Sequence, residues 1–141
     1  MTTQSVPQSS QCTKSDYIVA KFGGTSVANF EAMSRCSEII VNDKNVRIVA
    51  VSASAGVTNH LVELCKAGIE AAKRQQHIDG VLAIQQAILN DLSLDEDLAL
   101  GFNQTLDAFQ TLAAQTLNTE QQFDELLSFG ERLSSYLFTQ V

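Results

Sequence analysis

A lysine and two adjacent glycines follow a short apolar run early in the chain, in the stretch Lys21-Phe22-Gly23-Gly24. Adjacent glycines permit positive φ angles and let the backbone approach a ligand closely. A helical pattern follows, and the N-terminus of a helix presents free N–H groups and a positive dipole end to anions. Because Lys21 adds a full positive charge, the stretch predicts a polyphosphate-binding turn. It fits neither the GxxxxGKS/T nor the GxGxxG pattern, and a tight turn with a solvated lysine is the alternative.

A second run of small and hydroxyl-bearing residues, SASAGVT, starts at Ser52 and follows the next apolar run. In open α/β sheets, ligands collect beyond the carboxyl ends of the strands. Ser52, Ser54 and Thr58 could therefore donate hydrogen bonds to a ligand bound by both turns. For Thr58, the cap of the following helix is the alternative role.

Glu131 is the third candidate, because it lies at the edge of an apolar helical stripe. On a helical wheel of about 100° per residue, Leu127, Gly130 and Ser134 lie near the centre of that stripe, and Glu131 lies beside Phe138. A carboxylate in this position, next to a glycine, could enter a site and pair with an ammonium group. A solvated residue or a salt bridge within the helix is the alternative.

The hydrophobic periodicity predicts the elements that position these residues. An order of strand, helix, strand and helix, followed by helices alone, predicts a parallel α/β sheet with a helical segment after it. The second strand has a nearly continuous apolar run, which is typical of a strand covered on both faces. Thr119 and Gln122 have the spacing of a capping box for the last helix. The predicted strands are 17–22 and 46–52, and the predicted helices are 28–41, 59–72, 77–92, 95–117 and 120–141.

The composition is that of a globular domain, with 141 residues and a net charge of −7 that argues against nucleic-acid binding. The chain has no apolar run of membrane-spanning length and no secretory signal core, so we expect a cytoplasmic protein with no nucleic-acid or membrane partner. The three cysteines form no CxxC pair, which argues against a zinc site or a disulfide framework. Cys36 and Cys65 fit small core residues, whereas Cys12 lies in a predicted flexible polar tail, residues 1–15.

Three stretches, KFGGTSVANFEAM, VSASAGVTNHLVEL and SFGERLSSYLF, closely resemble aspartokinases of the amino acid kinase family in order and spacing. SASAGVTN is more similar to the lysine-sensitive monofunctional members than to the bifunctional aspartokinase–homoserine dehydrogenases. The resemblance implies the amino acid kinase fold, a parallel-sheet α/β/α sandwich. Two parallel strands make a poor sheet, and the helical pattern still runs at Val141. We therefore expect residues 16–141 to be the amino-terminal portion of a longer kinase domain.

The resemblance also implies a reaction, in which ATP, with Mg²⁺, phosphorylates L-aspartate to 4-phospho-L-aspartate on the way to lysine, threonine and methionine. It assigns Lys21 a catalytic role and implies that the full-length protein is a homo-oligomer. It places the nucleotide-base pocket and the remaining magnesium ligands outside this chain, for which no metal ligand is predicted. The implied ATP-binding residues are Lys21, Phe22, Gly23, Gly24 and Ser52, and the implied aspartate-binding residues are Thr58 and Glu131.

Two other interpretations stay open. The chain could belong to another amino acid kinase, such as a glutamate or acetylglutamate kinase, because the glycine turn would serve equally well there. Glu131 within SFGERLSS favours an aspartokinase. Alternatively, the chain could be an inactive fragment that acts only by association, through an exposed sheet edge and an unfinished last helix.

Overall fold

The computed structural model describes residues 17–141. The predicted tail, residues 1–15, and Cys12 lie outside the described residues. The elements, in chain order, are β1 (Ile18–Phe22), a short 3-10 helix (Gly24–Val27), α1 (Phe30–Asn42), β2 (Val46–Val51), α2 (Val57–Leu64), α3 (Ala71–Leu89), α4 (Glu96–Ala113) and α5 (Glu120–Gln140).

The two strands lie side by side and run parallel, with α1 as the crossover between them. Ile18 lies opposite Val46, Phe22 lies opposite Val51, and the register shifts between Ile18 and Val19. A parallel pair requires such a crossover, because the chain must return to the same end of the sheet. The predicted α/β class with parallel strands is therefore confirmed, and the carboxyl ends of both strands lie at one edge.

The prediction that β2 is covered on both faces is wrong for the described part of the chain. Ile48 is 60% exposed and Val49 is 37% exposed. Within residues 17–141 the sheet has two strands, and Val51, at the carboxyl end of β2, packs against the core. The middle of the strand consequently keeps apolar side chains in solvent.

Several helix boundaries differ from their predictions. The helix predicted over 77–92 spans Ala71–Leu89, the helix predicted over 95–117 ends at Ala113, and α2 begins at Val57 rather than at residue 59. Two further differences have a local reason. The first helix starts at Phe30 rather than at residue 28, since the Asn29 side chain accepts a 2.8 Å hydrogen bond from the Ala32 N–H and caps it. The helix predicted over 59–72 ends at Leu64, and Gly68, with a φ of 71°, lies in the turn that follows.

The core lies among the helices and is continuous with the end of the sheet. In it, Phe109 of α4 and Phe129 of α5 meet edge to face, with ring centroids 5.9 Å apart. Thr119 and Gln122 form the predicted capping box at the start of α5. No described helix is long and apolar enough to cross a membrane.

The described cysteines behave as core residues. Cys36 is buried and Cys65 is partly buried. Burial raises the pKa of the Cys65 thiol, which lowers the fraction of the reactive thiolate.

Candidate functional site

The two turns that follow the strands pack directly against each other. The Ser52 N–H donates to the Phe22 carbonyl at 3.0 Å, and the Ala55 N–H donates to the Gly24 carbonyl at 3.1 Å. A Cβ atom added at Gly24 would lie 2.8 Å from the Ala53 carbonyl oxygen. Position 24 therefore needs glycine because the neighbouring turn is so close, and the backbone oxygen it would meet cannot swing away.

The glycine pair differs from the prediction in two respects. Gly23 has a φ of −77°, and Gly24 is not among the described glycines with positive φ; the pair does not serve for a left-handed backbone. The segment after it is a 3-10 helix, and α1 begins only at Phe30. The helix predicted over 28–41 is thus separated from the glycines by this 3-10 helix, and its first N–H groups are capped by Asn29.

What the first turn offers is open space, backbone donors and a cation. Apart from Gly23 itself and its two chain neighbours, no described residue has an atom within 4 Å of a Cβ position built on Gly23. Among residues 17–141, no backbone or side-chain acceptor takes the N–H groups of Gly23 and Gly24. Lys21 is exposed and forms no ion pair with any described residue. An anion could therefore reach two amides and one ammonium group without displacing an internal partner.

The second turn presents hydroxyl groups at the same edge. Ser52 is half-buried, whereas Ser54 is 1% exposed and its hydroxyl has no hydrogen-bond partner among the described residues. A buried hydroxyl without a partner costs free energy unless a ligand or water satisfies it. Gly56, with a φ of 89°, is the N-cap residue of α2. The alternative role of Thr58 as the cap is thus wrong, and Thr58 lies exposed in the first turn of α2.

Helix α5 forms the third side of the site. A Cβ atom at Gly130 would lie 2.6 Å from the Ala53 Cβ, so the helix backbone rests on the end of β2. The Phe138 ring packs on Phe22, with centroids 5.8 Å apart. Glu131 follows Gly130, is exposed and forms no ion pair within residues 17–141. Its carboxylate is therefore not engaged in a salt bridge within the helix.

The structure brings the elements that carry the predicted site residues together at one edge of the sheet. Ala53 and Ser134, which were not predicted to have roles, join the Gly24 turn and Ser52 to α5. The start of α2, which carries Thr58, is joined to α5 where Gly130 lies against Val57 and Leu61. Ala53 could be anticipated only as a small residue at a strand end. Ser134 had a clearer signal, since it is a hydroxyl at the centre of an apolar stripe.

Similarity to known proteins follows the same segments. The sequence profile described as the amino acid kinase family matches residues 16–141. Lysine-sensitive aspartokinase 3 of Escherichia coli is 43% identical over 129 residues, which are 90% of this chain and 28% of that protein. The putative inactive aspartokinase 3 of Haemophilus influenzae is 51% identical over 70 residues, half of this chain and 57% of that protein.

The crystal structure of E. coli aspartokinase III in complex with aspartate and ADP superimposes with a TM-score of 0.79 and 41% identity, covering 88% of this chain and 28% of that chain. The fold agrees with the predicted amino-terminal part of an amino acid kinase. This chain spans just over a quarter of the length of the E. coli enzyme.

Proposed function

The chain belongs to the amino acid kinase family, and we propose that it is the amino-terminal portion, residues 16–141, of an aspartate kinase domain that transfers a phosphoryl group from ATP to the β-carboxylate of L-aspartate. The observation that carries the proposal is the meeting of three elements at Ala53. The Gly24 turn and α5 both touch this residue, which brings an anion-binding turn and the helix bearing Glu131 to one place.

On the nucleotide side, the proposed roles follow from charge and open space. Phosphoryl transfer is mostly positioning together with neutralisation of charge on the transferred group. Lys21 would lie against the phosphates as a mobile point charge. The N–H groups of Gly23 and Gly24, which have no acceptor among the described residues, would donate to the same oxygens, and the Ser52 hydroxyl would lie beside the transferred group. Phe22 holds this turn on α5 through Phe138.

On the acceptor side, no general base is required, because an aspartate carboxylate is ionised near neutral pH. Glu131 would pair with the α-ammonium group, which distinguishes an amino acid from a plain dicarboxylate. Thr58 would donate a hydrogen bond to the same substrate. Both side chains are exposed at the edge of the site, so a small substrate could reach them.

Mg²⁺ would accompany ATP as its counter-ion. Residues 17–141 contain no group of three or more histidine, cysteine, aspartate or glutamate side chains that could hold a metal ion. We further propose that the protein is cytoplasmic and that the full-length enzyme is a homo-oligomer.

A second candidate function is an inactive, aspartokinase-like chain that acts by association. The similarity to a Haemophilus protein described as a putative inactive aspartokinase 3 favours it, as do the exposed apolar side chains of β2. The two candidates differ in one respect that is easily measured, which is turnover of aspartate and ATP.

A hybrid enzyme tests the proposal. Residues 16–141 would replace the corresponding part of E. coli lysine-sensitive aspartokinase 3, and aspartyl phosphate would be trapped with hydroxylamine in the presence of ATP, Mg²⁺ and aspartate. We expect turnover that requires aspartate and is not supported by glutamate or acetylglutamate. A folded hybrid without turnover would favour the inactive, associating chain. Turnover with glutamate or acetylglutamate would favour one of the other amino acid kinases.

A further inference from the structure

One buried hydroxyl connects the two halves of the site. Ser134 of α5 is fully buried. Its Oγ donates to the Ser52 carbonyl oxygen at 2.7 Å, across 82 positions of the chain. The Glu131 carbonyl oxygen lies 3.1 Å from the same Oγ. A hydroxyl has a single proton, so the bond is three-centred and its shorter arm leads to Ser52.

We propose that Ser134 is a positioning residue that fixes the nucleotide side of the site, at Ser52, relative to the acceptor side, at Glu131. The inference rests on the proposed function for the roles of those two residues. The hydroxyl itself is buried and would touch neither substrate. It acts by joining the backbone of a strand end to the backbone of a helix turn, and each of these backbones carries one of the proposed site residues.

Packing alone does not explain why position 134 is a serine. The neighbouring stripe positions Leu133 and Leu137 are fully buried and apolar, so an alanine or leucine would be the ordinary choice for a core position. A serine that bonds only to the preceding turn slightly destabilises a helix. Ser134 additionally reaches another element, and Gly130, one turn earlier, lets the helix come close enough to β2 for that bond to form.

The adjacent serine provides a matched control. The Ser135 Oγ donates to the same Glu131 carbonyl at 2.7 Å, but Ser135 is exposed and makes no bond to Ser52. Comparing Ser134→Ala with Ser135→Ala therefore isolates the arm that reaches the strand. Ser134→Cys is nearly isosteric and keeps a weak S–H donor, so it tests rescue in a variant that fills the same space.

Two measurements test the proposal. In the present chain, the ¹³C carbonyl resonance of Ser52 should move in Ser134→Ala and stay in place in Ser135→Ala. In the hybrid enzyme, Ser134→Ala should lower kcat by about tenfold or more, because small misplacements of reacting groups are costly. Each KM should change by less than about threefold, and Ser134→Cys should recover part of the kcat, as expected for a group that matters in the transition state.

The two measurements also separate this inference from the proposed function. An unchanged Ser52 resonance in Ser134→Ala would overturn the connection, whatever the activity of the hybrid. An active hybrid in which Ser134→Ala keeps kcat within about twofold, or loses no more than Ser135→Ala does, would overturn the positioning role. An inactive wild-type hybrid would instead count against the proposed function, and the resonance would still decide whether the connection exists.

Discussion

Replacing Gly130 by alanine should destabilise the chain, although alanine favours a helix. The added Cβ would lie 2.6 Å from the Ala53 Cβ and 3.2 Å from the Leu61 Cδ1, whereas carbon atoms pack at about 3.5–4.0 Å. The end of β2 and α5 would have to separate by about 1 Å. Such overpacking costs about 1–3 kcal/mol. The separation would also weaken the bond from Ser134 to Ser52, at about 1 kcal/mol.

Against these costs stands the gain of about 1 kcal/mol from replacing glycine by alanine inside a helix. The net expectation for Gly130→Ala is a loss of about 2 kcal/mol in the free energy of unfolding. Urea unfolding of the present chain, followed by circular dichroism, measures this quantity for the variant and the wild type under identical conditions.

A double-mutant cycle with Ala53→Gly shows whether the steric contact is the cause. Removing the Ala53 Cβ removes the atom that the new methyl group would meet. The two substitutions together should therefore cost at least about 1 kcal/mol less than the sum of their separate effects. If Gly130→Ala were instead stabilising by its helix propensity, or if the two effects were additive, the close approach of α5 to β2 would be refuted.

Four further predictions concern the site and the activity. Lys21→Ala in the hybrid enzyme should lower turnover at least a hundredfold without unfolding it, by analogy with lost oxyanion donors at about 3–4 kcal/mol; turnover above a tenth of wild type would contradict this role. Glu131→Gln should raise the KM for aspartate far more than the KM for ATP. The control Glu125→Gln, at an exposed position of the same helix, should change neither KM, and equal changes of both KM values in Glu131→Gln would make Glu131 structural. Gly56→Ala should cost about 1 kcal/mol or more in thermal unfolding, because its φ of 89° is unfavourable for alanine; an unchanged transition would contradict the left-handed cap. The 141-residue chain alone should show no turnover in a coupled assay with ATP, Mg²⁺ and aspartate, and rates near those of a complete aspartokinase would show that no further segment is needed.

The sequence predicts the elements well where a local pattern determines them. The Thr119–Gln122 box predicts the start of α5, and both strands lie where their apolar runs predict. The 3-10 helix after Gly24 and the break at Gly68 were missed, because single glycines and short turns leave little periodic signal. The exposure of β2 was missed for another reason. An apolar run indicates that a strand is suited to burial on both faces, but whether the strand is buried depends on which other segments pack against it.

The site residues were predicted from motif chemistry, but the contacts that hold them together were not. Nothing in the local sequence indicates that Ser134 reaches Ser52, since the 82 positions between them can be bridged only by a particular packing of α5 on the sheet. The same holds for Gly130. From the sequence alone it is an unfavourable residue inside a helix, and only its close approach to Ala53 explains it.

The small residues of the site serve two purposes, and this affects how variants should be interpreted. Gly24 lies against the Ala53 carbonyl, and Gly130 lies against the Ala53 side chain. Internal packing therefore requires a glycine at both positions, whether or not a ligand binds. Loss of activity in Gly24→Ala would therefore not identify a lost phosphate contact, because the two turns would first have to separate. Lys21 and Glu131 are different, since both are exposed and free of ion pairs within residues 17–141. Substitutions at those two positions change charge with little change in packing, and they are the ones that report on the chemistry.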